Sequence, residues 1–309
     1  MPRLTIAICT YRRPVFLGEL LTCLLAPTRL DHEVLVIDND PEASARATFA
    51  DHTNATAVAH ITSAASRWRY LVEPEPGVSS ARNRAVAEAT SDTLLFLDDD
   101  QVVGQGFVDA LWRAWLGRPN GVDGLRLDVR SRFEADVPVE ARAFFPSMYT
   151  RDYDTIDRAL FGTGGLIVSR ALLASESPTF LPQLSLVGGE DTELFIRLHR
   201  RGAMFAHLAS VHLEERITRE RANLGWLLRR QFRAGILDTA INDLHGLDTK
   251  QSLRSWHPLA FARRFVRNPR AFIRPTASYD ARLQRLAHAA GKVYALMGGR
   301  LESRRDGPT

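Results

Sequence analysis

The sequence of 309 residues contains only two cysteines, Cys9 and Cys23, and both lie in apolar segments. Two such cysteines provide neither a disulfide framework nor a cysteine metal site, which favours a reducing cytoplasm. The N-terminus lacks the apolar region of a secretory signal, and no stretch approaches the roughly 20 apolar residues of a spanning helix. We therefore expect a protein that is neither exported nor integral to a membrane. A hydrophobic content of 45% is sufficient for a full globular core.

The net charge of +4 is unevenly distributed along the chain. Residues 1–196 carry a net charge of −9, whereas residues 197–309 carry +13. The acidic part is expected to hold a cation, and the basic part favours anionic partners such as phosphates, a lipid surface or nucleic acid. The alternative for the basic part is a set of solvated arginine side chains on helices. We expect no nucleic-acid partner, because the basic end has no recognisable nucleic-acid-binding motif.

Strands and helices alternate along the first hundred residues. The strands are expected near residues 4–9, 34–37, 68–72 and 94–97. This order predicts an α/β fold with a doubly wound, mostly parallel sheet, in which ligands bind beyond the C-terminal ends of the strands. Asp38 and the run Asp98-Asp99-Asp100 would both lie at that edge of the sheet.

The second part of the chain is less regular. Further strands are expected near residues 122–129, 161–168, 204–206 and 210–213. From Arg130 to about Leu160 the pattern is irregular, which is typical of a variable loop region that contacts a second substrate. Arginine-rich helical patterns begin after Glu214. We therefore expect a domain of residues 1–215 followed by a basic α-helical region of residues 216–309.

Three consecutive carboxylates, Asp98, Asp99 and Asp100, follow the fourth predicted strand. Neighbouring acids repel one another unless a cation or hydrogen-bond donors offset the repulsion, so the run is typical of a metal and phosphate site. A solvated turn explains this segment equally well, because aspartate is common in turns. The remaining segments must decide between the two.

Five segments in this order and spacing resemble the family 2 glycosyltransferases, which have the GT-A fold. They are ICTYRRP at residues 8–14, VIDND at 36–40, GVSSARN at 77–83, LDDD at 97–100 and GED at 189–191. The resemblance covers residues 3 to about 235. It implies a Rossmann-like GT-A domain that binds a nucleotide sugar and a divalent metal, either Mn²⁺ or Mg²⁺.

The resemblance also implies where the metal is bound. Asp98-Asp99-Asp100 is similar to the Asp-X-Asp motif of the family, so Asp100 would bind the metal and Asp98 would bind the ribose or a metal-bound water. Hard oxygen ligands suit Mn²⁺ and Mg²⁺ equally. Because three acids follow one another, these roles are open by one position. His212 resembles a histidine that some members use as a further ligand of the metal or the diphosphate, although a lone histidine on a strand is often structural.

For the nucleotide, the resemblance implies that Thr10, Tyr11 and Arg13 line the pocket for the base and phosphates. Asp38 would accept a hydrogen bond from N3–H of uracil, unless it only ends a strand in a turn. Arg82 would lie near the diphosphate or the base, where a fixed positive charge is favourable. The alternative for Arg82 is an exposed arginine on a helix.

For the reaction itself, the resemblance implies that Asp191 is the catalytic base, which removes a proton from the acceptor hydroxyl. Glu190 is the second choice for a contact with the acceptor, and a helix N-cap is the alternative for Asp191. Gly164 and Gly165 are similar to a glycine pair below the donor sugar, although a tight turn would also explain them.

Residues 229–235 faintly resemble the Gln-X-X-Arg-Trp signature of processive synthases but differ in register and lack the tryptophan. The sequence also lacks the membrane helices of those synthases, which favours transfer of a single sugar. Arg230 or Arg233 would then lie near the diphosphate or the acceptor.

Together these features predict a cytoplasmic, metal-dependent, inverting glycosyltransferase that uses a nucleotide sugar, with UDP-sugars the first choice. The acceptor would be a lipid-linked glycan of polysaccharide or cell-envelope biosynthesis, or a small molecule. Phe261, Phe265 and Phe272, which lie among arginines, would support peripheral contact with an anionic membrane at the inner face of the plasma membrane.

Two other functions compete with this prediction. A sugar-phosphate nucleotidyltransferase normally has a glycine-rich phosphate loop, which Thr10 to Pro14 lack. A nucleotide-sugar-binding protein or membrane-surface scaffold without turnover would not need Asp191.

Overall fold

The computed structural model describes residues 2–59, 66–137, 142, 145, 151–156, 162–248 and 277–301. The chain forms two compact units. The first comprises Met1–Arg132 and Ser147–Arg216, and the second comprises Phe133–Pro146 and Ile217–Thr309.

The first unit begins with four strands that alternate with three helices. These elements are β1 (Leu4–Thr10), α1 (Pro14–Leu24), β2 (His32–Asp38), α2 (Arg46–Ala59), β3 (Ser66–Val72), α3 (Val78–Glu88) and β4 (Thr93–Asp98). They are followed by β5 (Gln101–Val102), α4 (Phe107–Leu116), β6 (Gly124–Phe133), β7 (Leu166–Ser169), α5 (Arg170–Ala174), a 3₁₀ turn (Pro182–Leu184), α6 (Glu190–Arg200) and β8 (Phe205–Ile217).

The strands form one eight-stranded sheet in the order β3-β2-β1-β4-β7-β6-β8-β5. Strands β3, β2, β1 and β4 pair in parallel, whereas β7 pairs antiparallel with β4 and with β6. The predicted α/β fold is therefore confirmed. The sheet is mixed, however, because the strand pairs β4–β7, β6–β7 and β5–β8 are antiparallel.

Helices and loops bury both faces of this sheet. Val34 and Val36 of β2 belong to one hydrophobic cluster, and Leu35 and Ile37 belong to the other. Because successive side chains of a strand point to opposite faces, β2 must be apolar at nearly every position. This explains the continuous apolar run that predicted the strand.

The prediction of two short strands near residues 204–206 and 210–213 is wrong, because the structure has the single strand β8 there. Residues 207–209 separate the two predicted strands. In the structure, Asp152 accepts hydrogen bonds from the N–H groups of Ala209 and Ser210, each at 2.7 Å. The strand is thus continued by an acceptor from a distant part of the chain.

The described residues of the second unit include two helices, α7 (Leu224–Leu244) and α8 (Ala277–Leu296). Two glycines bring them close together: a Cβ atom at Gly235 would lie 2.9 Å from the carbonyl carbon of His288, and one at Gly291 would lie 2.9 Å from that of Phe232. No helix within the described ranges is long and apolar enough to cross a membrane. The predicted membrane contacts Phe261, Phe265 and Phe272 fall outside those ranges.

Candidate active site

The C-terminal ends of β1 and β4 bring the first predicted site residues together. Thr10 donates a hydrogen bond of 2.8 Å from Oγ1 to Asp99, and Arg13 Nη1 donates to Asp99 at 3.1 Å and to Asp100 at 3.3 Å. Burial raises the pKa of Asp99 to about 6, although the charge of Arg13 acts in the opposite direction. The carboxylates of Asp99 and Asp100 are therefore held by donors from the end of β1 and the loop after it.

Asp98 differs from the two acids after it, because its side chain is 47% exposed. Its carboxylate has only long contacts: Gln101 Nε2 lies at 3.5 Å and Arg82 Nη2 at 3.6 Å. Gly164 also lies against the carboxylate, since a Cβ atom there would lie 2.6 Å from Asp98 Cγ. Gln101 also fixes the backbone, accepting the Asp98 N–H at 3.0 Å.

Two carboxylates of this group, Asp98 and Asp100, could hold a divalent cation. No set of three or more His, Cys, Asp or Glu side chains in the described part of the chain is arranged to hold a metal. A Mg²⁺ ion is usually bound by one or two carboxylates together with substrate phosphates, so two are sufficient when the ligand brings a diphosphate. The exposed, weakly bonded carboxylate of Asp98 fits this kind of site.

Arg82 links the acidic run to helix α6. Its guanidinium group forms an ion pair with Glu190, the first residue of α6, and lies 3.6 Å from Asp98. Although burial opposes its charge, the carboxylates of Glu190 and Asp98 raise the pKa of Arg82. Burial also raises the pKa of Glu190, whose Oε2 atom is buried and has no hydrogen-bond partner among the described residues.

Asp191 lies in the first turn of α6, after two glycines with positive φ angles, Gly188 and Gly189. Its Oδ1 atom accepts the Thr192 N–H at 2.7 Å. A Cβ atom at Gly162 would lie 3.2 Å from Asp191 Oδ2, so glycine at position 162 avoids crowding of that oxygen. The glycine-rich segment before β7 thus approaches Asp98 with Gly164 and Asp191 with Gly162.

Asp38 is fully buried at the end of β2. Its carboxylate accepts hydrogen bonds from the Asp40 N–H at 3.0 Å, the Ala45 N–H at 2.8 Å and the Tyr70 hydroxyl at 2.6 Å. Burial and this last bond raise the pKa of Tyr70. These partners leave Asp38 no surface on which to contact a nucleotide base directly.

Tyr11 and His212 are two further predicted residues of the first unit. Tyr11 is partly exposed, with the Arg12 guanidinium 5.1 Å from its ring centre. The Arg216 N–H donates to the Asp100 carbonyl at 3.1 Å, and His212 lies four residues earlier on β8. The role of His212 as a ligand of the metal or the diphosphate stays a prediction.

The other predicted residues are found as follows. Gly165 is in a positive-φ conformation beside Arg126. Arg230 and Arg233 are in α7 of the second unit, where Arg230 lies over the Trp226 ring and Arg233 lines a cavity with Leu228, Arg229, Phe232 and Ala287.

Sequence reasoning missed Gly162, Gln101 and Asn83. Gln101 directly follows the acidic run, and Asn83 is the last residue of the segment at 77–83 that resembles the family, so both had a signal in the sequence. Gly162 had no such signal, because its importance comes from the approach of Asp191, which lies 29 residues later.

Comparison with known proteins gives matches in sequence and in structure. The family model described as "Glycosyl transferase family 2" matches residues 5–173. The succinoglycan biosynthesis protein ExoM of Rhizobium meliloti (strain 1021) is 31% identical over 238 residues, which cover 74% of this chain and 72% of that protein.

Two solved structures share the fold. The mannosyltransferase PcManGT from Pyrobaculum calidifontis, in complex with GDP-Man and Mn²⁺, has a TM-score of 0.65 at 15% identity, and the match covers 97% of this chain and 88% of that one. TarS 1–349 of S. aureus has a TM-score of 0.54 at 13% identity, and the match covers 97% of this chain and 93% of that one.

Proposed function

The chain belongs to glycosyl transferase family 2 and is a glycosyltransferase, and from this we propose that it transfers a single sugar from a nucleotide sugar to an acceptor hydroxyl, with inversion and with a divalent cation. A UDP-sugar is the first donor to test. The proposal rests on one observation above all: Arg82 connects the exposed carboxylate of Asp98 to the start of α6, where Asp191 lies beside Gly162.

Asp98 and Asp100 would hold Mn²⁺ or Mg²⁺, with the remaining ligands supplied by the diphosphate of the donor. A bound divalent cation would stabilise the negative charge that grows on the departing diphosphate. Arg82 would contribute a fixed positive charge to the same region, since its ionised form is favoured by Glu190 and Asp98. Thr10 and Arg13 would act through Asp99 and Asp100, whose carboxylates they orient.

Asp191 would be the catalytic base. Its Oδ2 atom would take the proton of the acceptor hydroxyl while the acceptor oxygen attacks the anomeric carbon. The bond from that carbon to the diphosphate oxygen breaks, and its electron pair remains on the diphosphate. Attack from the side opposite to the leaving group inverts the configuration. Gly162 supports this role, because the absence of a Cβ atom leaves room for an acceptor next to Oδ2.

The donor nucleotide and the acceptor are supported only by relatives. ExoM acts in succinoglycan biosynthesis, which supports a growing polysaccharide as the acceptor. The PcManGT structure is a complex with GDP-Man and Mn²⁺, so GDP-sugars belong in the same test as UDP-sugars. Asp38 would shape the base pocket through Asp40, Ala45 and Tyr70 and would not contact the base itself.

A peripheral contact with an anionic membrane from the cytoplasmic side is the further part of the proposal. The net charge of +13 in residues 197–309 supports it, as do the exposed apolar side chains of Leu244 and Met297 in the second unit. Co-sedimentation with phosphatidylcholine vesicles, prepared with and without phosphatidylglycerol, tests this contact. Equal recovery with both vesicle types would contradict it.

Calorimetric titration of UDP and GDP, with and without Mn²⁺, tests the donor site. We expect Mn²⁺-dependent binding of one nucleotide to the wild type, loss of that binding in Asp100→Ala, and normal binding in the exposed control Asp243→Ala. Absence of Mn²⁺-dependent binding in the wild type would contradict the metal-dependent site and favour a scaffold.

Turnover is tested by release of UDP from UDP-glucose with water as acceptor, or of GDP from GDP-mannose if GDP is the nucleotide bound. We expect Asp191→Asn to bind the nucleotide as the wild type does while the release rate falls by about 10² to 10⁴, the typical contribution of a general base. Unchanged release in Asp191→Asn would contradict the base assignment.

A further inference from the structure

The segment of residues 180–190, which leads into α6, is attached to α3 at three points. The Val78 N–H donates a hydrogen bond of 3.2 Å to the Ser185 carbonyl in the middle of the segment. Arg82 forms its ion pair with Glu190 at the end. Asn83 binds Phe180 at the beginning. One helix therefore holds the beginning, middle and end of the segment.

The attachment through Asn83 satisfies both backbone groups of Phe180. Asn83 Nδ2 donates to the Phe180 carbonyl at 2.8 Å, and Asn83 Oδ1 accepts the Phe180 N–H at 2.8 Å. Only a side chain with a donor and an acceptor side by side can make this pair of bonds, and an amide group is such a side chain. The geometry therefore depends on the amide of Asn83 and not on polarity alone.

Phe180 is in turn fixed relative to the acidic run. Its side chain is fully buried and packs edge-to-face on Phe96, with ring centres 6.1 Å apart. Phe96 lies on β4 two residues before Asp98. The Arg82 guanidinium lies 5.7 Å from the centre of the Phe180 ring. Asn83 thus ties the start of the segment to the strand that carries Asp98.

We propose that Asn83 is a positioning residue for the base of the transfer reaction. By fixing Phe180, it sets the path of residues 180–190 and so the place at which Asp191 faces Gly162. This inference rests on the proposed function, because it assigns Asn83 to the placement of Asp191. Asn83 itself contacts the protein backbone and would not contact either substrate.

Asn83→Asp tests the proposal, because aspartate has nearly the same shape as asparagine. The aspartate has no donor for the Phe180 carbonyl and places negative charge against it. We expect the segment to shift and the release rate to fall by about 10- to 100-fold, since a misplacement of about 1 Å can cost about 100-fold. The Kd for the nucleotide with Mn²⁺ should stay within twofold of the wild type. If the aspartate variant does not fold, Asn83→Ser removes the amide without adding charge.

Asn39 provides a comparison, because its amide holds a different segment in the same way. Its amide makes the same type of contacts with the 73–77 loop, donating to Glu73 O at 2.9 Å and Glu75 O at 2.7 Å and accepting Gly77 N–H at 2.7 Å. Hydrogen exchange of the backbone amides distinguishes the two effects. Asn83→Asp should speed exchange in residues 181–191, whereas Asn39→Asp should speed it chiefly in residues 73–77.

The possible outcomes separate the positioning role from the proposed function. A reduced release rate in Asn83→Asp with normal nucleotide affinity and faster exchange in residues 181–191 supports the positioning role. A wild-type rate, or equal losses of rate and nucleotide affinity, overturns it. If Asp191→Asn releases the nucleotide at the wild-type rate, the proposed base is contradicted. If Asp191→Asn loses release while Asn83→Asp keeps the wild-type rate, only the positioning role of Asn83 is refuted.

Discussion

Replacing Gly164 by alanine is the sharpest test of the metal site, because it perturbs Asp98 without touching its charge. The new Cβ atom would lie 2.6 Å from Asp98 Cγ and 2.7 Å from Gln101 Nε2. Carbon atoms in contact are about 3.5 Å apart, so the carboxylate must move by about 1 Å. Gln101 cannot relieve the crowding alone, because its Oε1 atom is bonded to the Asp98 N–H.

The size of the expected effect follows from that displacement. A shift of about 1 Å in a positioned group can cost about 100-fold in rate, which corresponds to about 2.7 kcal/mol of transition-state stabilisation. We expect kcat/KM for nucleotide release from the donor to fall by about that factor. Mn²⁺-dependent nucleotide binding should weaken at least tenfold. Overpacking of the fold itself should cost about 1 to 3 kcal/mol, which the thermal midpoint would report.

Gly104→Ala is the matched control, because a Cβ atom at this position would have no other atom within 4 Å and the φ angle of Gly104 is not in the left-handed region. Titration calorimetry at fixed Mn²⁺ and a coupled assay for released nucleotide should place this control within twofold of the wild type. Wild-type binding and turnover in Gly164→Ala, with the fold intact, would refute the placement of the cation at Asp98.

Three further predictions concern packing and ionisation. Gly235→Ala should destabilise the second unit by about 1 to 3 kcal/mol in urea unfolding, because its Cβ atom would meet the His288 carbonyl. Gly225→Ala, in the first turn of α7, should not lower the stability. Although burial opposes ionisation, the hydrogen bond from His288 lowers the pKa of Asp238. The resulting stability is present above about pH 4 and is lost as the pH falls through the folded-state pKa, so Asp238→Asn should reduce the loss of stability on acidification below about pH 4. Burial of its sulfur raises the pKa of Cys9 to about 12, so Cys9 should react with a thiol reagent at pH 8 about 1000-fold more slowly in the native protein than in urea.

The edge of the sheet that carries the site could be predicted from the sequence. Strands β1, β2 and β4 are apolar over nearly their whole length because both faces are covered, and each ends in polar residues. The order of strands and helices then brings those polar ends to one edge, and the structure joins Thr10, Arg13 and Asp99 there. The chemical roles assigned to these residues stay predictions.

The partners of the individual charges could not be predicted, because they come from distant segments. Asp38 receives its hydrogen bonds from Ala45 and Tyr70 as well as from its neighbour Asp40, and no local pattern indicates that these groups fill its carboxylate. The break predicted in β8 failed for the same reason, because Asp152 supplies the missing acceptor. Sequence patterns report local preference, whereas burial and pairing depend on contacts between remote residues.

The Asp38 carboxylate already accepts three hydrogen bonds, and this limits how the preference for a nucleotide sugar could change in evolution or by design. Replacing Asp38 would leave three hydrogen-bond donors without their acceptor, and each unsatisfied buried group costs about 1 to 3 kcal/mol of stability. Such a variant would lose the conformation of the loop between β2 and α2 before it bound a different nucleotide. A switch from one nucleotide to another should therefore retain Asp38 and alter side chains that reach solvent, such as those of Tyr11 and Arg12.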